Sequence, residues 1–163
     1  MRRALVLLAL LASGCMRSPR TGTGPAPPFE LKDLGGGNVS LATLQGKVVV
    51  LDFWATWCAP CVAELPELAD FARKNAPRGV EVMGVVFDSG EPKEIADFVR
   101  DHKIPYRQLI GTDTVQDAYD ANQGFPTTFV IDGKGSIVTR TIGAVPDKFE
   151  RLQKAVDSVL GHP

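Results

Sequence analysis

One segment governs what this chain can fold into: Val48-Val49-Val50-Leu51-Asp52-Phe53-Trp54, followed directly by Ala55-Thr56-Trp57-Cys58-Ala59-Pro60-Cys61. A run apolar at nearly every position reads as a strand covered on both faces, the mark of a central strand in an α/β sheet. From Ala59 the period changes. Cys61, Leu65, Leu68, Ala69 and Ala72 recur at three- and four-residue steps, the spacing of a helix with one buried face. The two cysteines therefore stand at a strand-to-helix junction. The first sulfur falls at the helix N-terminus, where unpaired backbone N–H groups and the helix dipole favour an anion. That anion is a thiolate, the form of cysteine that attacks. The second sulfur lies one turn on, close enough to close a disulfide. A dithiol so placed is built for thiol–disulfide exchange.

Other uses of the pair fit less well. A zinc site needs about four ligands. Beyond Cys58 and Cys61 the chain offers only Cys15, His102 and His162, at spacings unsuited to a metal. A c-type haem site needs His directly after the second Cys, and Val62 stands there. A structural short-range disulfide leaves the surrounding strand and helix unexplained. Neither a metal nor another cofactor is expected.

The remaining bounds are broad. At 163 residues the chain has room for one domain with a full core, expected to act as a monomer. Its formal net charge is -1, and no basic run exceeds two residues, so a nucleic-acid partner is not expected.

Residues 1–14 read as a lipoprotein signal peptide. Arg2-Arg3 is a charged start, and Ala4 to Ala12 is an apolar run too short to span a bilayer as a mature helix. Ala12-Ser13-Gly14-Cys15 resembles a bacterial lipobox in which Cys15 is lipidated, although Ala12 stands where Leu is usual. The alternative is plain cleavage after a small residue. Removal of residues 1–14 takes two arginines and no acid, so membrane attachment must come from a lipid on Cys15 rather than from surface charge. Met16 follows in place of an Asp retention signal, which leaves the choice of membrane open. Residues 15–28 are rich in Gly, Pro and Thr and read as the lipidated N-terminus and a flexible tether. Residues 29–163 are expected to form the folded domain.

Within it, Phe29–Leu34 reads as a short strand, Gly35–Asn38 as a turn, and Leu41–Leu44 as a short helical turn opened by Ser40. Val80–Phe87 reads as a second buried strand. Glu91–His102 is a second helix with Pro92 near its first position, and Ile104–Ile110 an extended piece. Thr114–Ala121 is a short helix. Thr127–Ile131 and Ser136–Ile142 form a hairpin around Asp132-Gly133-Lys134-Gly135, and Asp147–Leu160 is the last helix. Pro66 inside the first helix removes an N–H and is expected to kink it. Alternating β and α elements that end in a hairpin and a helix give an α/β sandwich with a mixed sheet.

Three stretches together resemble the thioredoxin superfamily, specifically the TlpA/ResA-like membrane-attached thiol–disulfide oxidoreductases. They are Asp52 to Cys61, Pro66 five residues after the second Cys, and Gly124-Phe125-Pro126-Thr127-Thr128-Phe129-Val130-Ile131-Asp132. The resemblance covers about residues 29–160. It implies a thioredoxin-like three-layer sandwich with a mixed central sheet and a TlpA-type strand-helix insertion at about Glu91–Ile110. It further implies Cys58 as the attacking thiolate and Cys61 as the resolving thiol. Pro126 matches the family's cis proline, the alternative being an ordinary trans proline at a strand start. Trp57, Pro60, Phe125 and Pro126 are then the substrate-binding residues. Phe125 departs from the smaller or branched residue of many relatives, which puts peptide specificity in doubt.

Glu64 matches a glutamate beside the active site of ResA-like proteins, and Asp52 the buried acid of thioredoxin itself. Either carboxylate is expected to take a proton from Cys61. The alternatives are a solvent-facing Glu64 and an Asp52 that points outward from a strand end. Trp54 reads as core, Trp57 as an apolar rim over the disulfide, and His102 as a surface residue at a helix end.

The resulting expectation is an extracytoplasmic, lipid-anchored reductase of client protein disulfides, in keeping with relatives that serve cytochrome c maturation. Its partners would be client proteins and a membrane thiol reductant of the DsbD/CcdA type. A disulfide-forming oxidase or isomerase is the second reading. A copper chaperone of the Sco type would carry CxxxC with a distal His, and a peroxidase of this fold would carry Thr where Ala55 stands. Neither pattern is met.

Overall fold

The computed structural model describes residues 23–161. The signal peptide and Cys15 lie outside the described residues, as does His162. Among the described residues, eight strands and four α-helices follow in the order β1 (Gly24–Pro25), β2 (Glu30–Lys32), β3 (Asn38–Ser40), β4 (Val48–Trp54), α1 (Ala59–Asn75), β5 (Val80–Val86), α2 (Pro92–Asp101), β6 (Arg107–Ile110), α3 (Asp113–Ala118), β7 (Thr127–Ile131), β8 (Ser136–Ile142) and α4 (Lys148–Leu160). Short 3-10 turns occupy Leu41–Leu44, Ala76–Arg78 and Ala121–Gln123.

Six strands form one mixed sheet in the order β1-β8-β7-β4-β5-β6, and β2 and β3 form a separate hairpin. β4 lies at the centre, parallel to β5 and antiparallel to β7. All seven of its residues are buried, as its apolar run predicts. Its side chains alternate between two cores. Val48, Val50 and Trp54 pack with Cys61, Leu65 and Leu68 of α1 and Leu152 and Val156 of α4. Val49, Leu51 and Phe53 face the opposite layer, with Leu31 and Val39 of the β2–β3 hairpin and Val115 of α3. This is the three-layer thioredoxin-like sandwich. The expected insertion is present as α2 and β6. β6 extends the sheet in parallel to β5, and α2 buries Ile95 on the α1 side.

The elements follow local chemistry. Cys58 is the N-cap of α1, with Pro60 in the first turn and Arg73 and Lys74 in the last. α1 continues through Pro66 to Asn75. α2 opens with a reciprocal capping box between Glu91 and Glu94, and Pro92 is its first residue. Gly84 in β5 has a packing reason: a Cβ there would come within 2.1 Å of Gln108 Oε1 and 2.7 Å of Trp54 Nε1. Those two atoms make a buried hydrogen bond of 3.0 Å.

One boundary needs correction. Residues 24–28, expected to belong to the tether of residues 15–28, are part of the fold, which the chain joins from Gly24. Gly24 and Pro25 pair with Ile137 and Ser136, and the Ala26 N–H donates to the Gly135 carbonyl at 2.8 Å. The Tyr119 hydroxyl donates to the Pro27 carbonyl at 2.8 Å, and Ala26 is buried. Gly and Pro content suggested a solvated linker, but backbone pairing needs no apolar side chain.

Candidate active site

β4 delivers the chain to one end of the sheet, and Ala55-Thr56-Trp57 carries it into α1. This connection is tied down by the loop after β5. The Thr56 N–H donates to Ser89 Oγ at 2.9 Å, and Ser89 Oγ donates to the Phe87 carbonyl at 2.7 Å. The Trp57 indole N–H donates to the Asp88 carbonyl at 2.9 Å. Asp88 itself adopts a positive φ of 44°.

Cys58 and Cys61 are joined by a disulfide with Cα atoms 5.2 Å apart. Cys58 Sγ accepts the Cys61 N–H at 3.3 Å, so the first sulfur caps the helix as its position in the sequence predicts. The two sulfurs differ in surroundings. Cys58 lines a groove of about 590 Å³ together with Trp57, Pro60, Asp88, Asn122 and Phe125. Cys61 is not among the lining residues and packs into the α1 core cluster.

The groove has an aromatic wall. Trp57 is 62% exposed, and its ring centroid is 6.0 Å from that of Phe125. Phe125 stacks on Phe87 at 5.5 Å, and Phe87 stacks on Phe53 at 5.5 Å, so the wall continues into the core. The Phe125–Pro126 peptide bond is cis. Pro126 is buried and its carbonyl accepts the Gly143 N–H at 2.7 Å. Trp54 is fully buried, and His102 is an exposed residue at the end of α2, stacked on Phe98.

A charged cluster joins β4, α1 and α4. Asp52 points inward and is 3% exposed, on the face of β4 that carries Val50 and Trp54. Its Oδ1 accepts the Thr128 hydroxyl at 2.6 Å. Glu64, one turn after Cys61, is half-buried. Lys148, the first residue of α4, is fully buried and places Nζ 2.5 Å from Glu64 Oε2 and 3.6 Å from Asp52 Oδ1. Burial pushes the Asp52 carboxyl above its ordinary value, against the opposing pull of Lys148 and Thr128. Burial also raises Glu64, with Lys148 opposing and the charges of Asp52 and Glu67 adding. Tyr106, buried nearby, is raised by burial and further by the Asp52 charge.

The expected site residues that are described lie around one end of the sheet; Cys15 lies outside the described residues. Sequence reasoning missed Lys148, Thr128 and the Asp88-Ser89 tie. Lys148 carried one local sign. A cation in the first turn of a helix opposes the helix dipole, so it needs acids from elsewhere. Among the described residues no cluster of metal-ligating side chains occurs, and no helix is long and apolar enough to cross a membrane.

Comparison with known proteins agrees with this geometry. The AhpC/TSA family matches residues 23–140. The thiol-disulfide oxidoreductase ResA of Bacillus subtilis is 36% identical over 124 residues, which is 75% of this chain and 68% of that protein. The thioredoxin-like protein YneN of the same organism is 34% identical over 125 residues, 76% of this chain and 72% of its own. Among solved structures, the thioredoxin-family thiol:disulfide interchange protein of Chlorobium tepidum superposes with a TM-score of 0.72 at 27% identity. That match covers 85% of this chain and 97% of the other.

Proposed function

Because the chain belongs to the AhpC/TSA family and is a thiol–disulfide oxidoreductase of thioredoxin-like fold, we propose that it reduces disulfides of client proteins outside the cytoplasm, held at a membrane by a lipid on Cys15. The observation that carries the reaction is the difference between the two sulfurs. Cys58 caps α1 and opens to the groove, whereas Cys61 packs into the core cluster, on the side of the sheet that Asp52 faces and one turn before Glu64 on α1.

The Cys58 thiolate attacks one sulfur of a client disulfide and forms a mixed disulfide, and the other client sulfur leaves. Cys61 gives up its proton to Asp52 or Glu64 and attacks Cys58. The bond from Cys58 to the client breaks, and the Cys58–Cys61 disulfide forms. Two electrons pass from the dithiol to the client, whose two sulfurs take up protons. Trp57, Pro60, Phe125 and Pro126 hold the client segment in the groove. A membrane thiol reductant of the DsbD/CcdA type restores the dithiol, and apocytochromes awaiting haem are the client class suggested by the TlpA/ResA resemblance.

The reductase direction is supported by how little, beyond the helix N-terminus at Cys58, stabilises the reduced form. No histidine lies between the cysteines, and the Asp52–Glu64–Lys148 cluster, net -1 with both acids ionised, lies on the side of the sheet into which Cys61 packs. Negative charge disfavours thiolates, and a pair whose reduced form has no special support is a good reductant. Two measurements test the reading. Cys61→Ser should accumulate mixed disulfides through Cys58 in cells, and Cys58→Ser should form none and lose insulin reduction. Equilibration with glutathione should give a midpoint nearer about -270 mV than about -120 mV. Adducts formed through Cys61 would reverse the roles. A midpoint above about -180 mV would favour the oxidase or isomerase reading.

A further inference from the structure

Lys148 is the least expected charge in the fold. It occupies the first turn of α4, where the helix dipole repels a cation, yet it has no exposed surface. Removing an ammonium from water is costly unless it is closely paired. Its partners come from two other elements, Glu64 on α1 at 2.5 Å and Asp52 on β4 at 3.6 Å. One ammonium therefore bridges a fully buried carboxylate and a half-buried one. Glu64 stands three residues after Cys61 on the same helix, on neighbouring positions of its surface. Asp52 projects from the face of β4 that packs against the cluster containing Cys61 and Leu65.

We propose that Lys148 is a positioning residue that joins Asp52 and Glu64 into a single proton-exchanging unit for Cys61, with Glu64 as its outlet to water. The inference rests on the reading of these carboxylates as proton acceptors and says how they act. With both ionised the cluster carries a net charge of -1, so it takes up one proton readily and a second with difficulty. When the resolving step begins, the Cys61 proton passes to this unit. The Cys61 thiolate attacks Cys58 Sγ, the bond to the client sulfur breaks, and the client leaves as a thiolate that water protonates. The unit then returns its proton to solvent at Glu64, whose side chain retains 15% exposure against 5% for Asp52. The other ionisable groups facing the unit are Tyr106, which feels the Asp52 charge, and Glu67, which feels Glu64. Neither offers a second cation, so the coupling between the acids depends on Lys148.

The test is stopped-flow mixing of the reduced full-length protein with excess 5,5′-dithiobis(2-nitrobenzoate), followed across the acidic to neutral range. The first thionitrobenzoate reports attack by Cys58 and the second reports closure by Cys61. Glu64→Gln and Asp52→Asn should each slow closure about tenfold or more below neutral pH. The double variant should be no more than about threefold slower than the slower single, as for residues that act as a unit. Lys148→Met should move the acid limb of closure to higher pH and shrink the further effect of Glu64→Gln to under about twofold. Lys148→Arg, which keeps the charge, should return the profile toward that of the parent. Single effects that multiply, or a Glu64→Gln effect unchanged without Lys148, would overturn the coupling and leave the carboxylates as separate acceptors. Single variants with unaltered closure would overturn both the coupling and the acceptor reading. If Lys148→Met does not fold, the Asp52–Glu64 cycle decides by itself.

Discussion

Cys58 and Cys61 share one turn of helix but not one environment. Cys58 takes the N-cap and the groove, and Cys61 takes the core side. The same contrast holds for the two acids of the charged cluster: Asp52 is enclosed, and Glu64 reaches water. Enclosure has a thermodynamic signature. Burial holds the Asp52 carboxyl above its ordinary value, so the folded state binds this proton more tightly than the unfolded chain does. The stability that Asp52 contributes is complete below the ordinary Asp range near about 4 and is lost as pH rises through its folded value. Asp52→Asn removes that titration and leaves Lys148 paired with Glu64. The thermal midpoint of the variant should fall less than that of the parent between about pH 4 and pH 8. Parallel pH profiles for the two proteins would mean that Asp52 does not titrate in this range.

At the scale of elements, the site depends on how closely β4 and β5 are matched. Asp52 pairs with Gly84 and Trp54 with Val86, and Gly84 leaves the space in which Trp54 meets Gln108. Gly84→Ala forces a methyl group into that space and should destabilise the domain by about 1–3 kcal/mol. Urea titration should show a lower midpoint with an unchanged slope. An unchanged midpoint would show that Gln108 and Trp54 move aside at no cost. Most elements were legible in the sequence. β7 and β8 fall on the residues read as a hairpin because a tight Asp132–Gly135 turn separates them. β6 was less legible: the piece read as extended over Ile104–Ile110 pairs only from Arg107, opposite Met83, although β5 begins at Val80, and Pro105 has no N–H to give to a ladder.

At the scale of the whole molecule, the chain enters the sheet far from the dithiol. Gly24 pairs with Ile137, Ile137 with Ile131, and Ile131 with Val49, at the start of β4. Cys58 follows the other end of that strand. Seven residues at about 3.3 Å each place the two ends about 20 Å apart. A lipid on Cys15 would thus hold the domain by the end opposite the groove, through a tether of about 30 Å at full stretch from Cys15 to Gly24. Cys15→Ser should release the protein from the membrane with the thermal midpoint unchanged. Removing residues 1–22 should also leave the midpoint unchanged. Removal through residue 28 should lower it, since Ala26 and the Pro27 carbonyl belong to the fold. A variant still bound to membranes without Cys15 would end the lipoprotein reading. An unaltered midpoint after the longer deletion would return residues 24–28 to the tether.

The sequence by itself determined the local part of this protein. The buried run Val48–Trp54, the change of period at Ala59 and the spacing of Cys58 and Cys61 are all short-range signals, and each specifies one element or one cap. They placed both sulfurs at a helix N-terminus without reference to any distant residue. Tertiary structure alone assembled the charged cluster. Lys148 is 84 residues from Glu64 in sequence, and Thr128 is 76 from Asp52. No local pattern relates them, because a lysine that starts a helix reads as solvated until α4 is packed against the sheet. Only that packing removes its water, and a buried ammonium must then find its charge partners among whatever side chains the other elements bring to the same place.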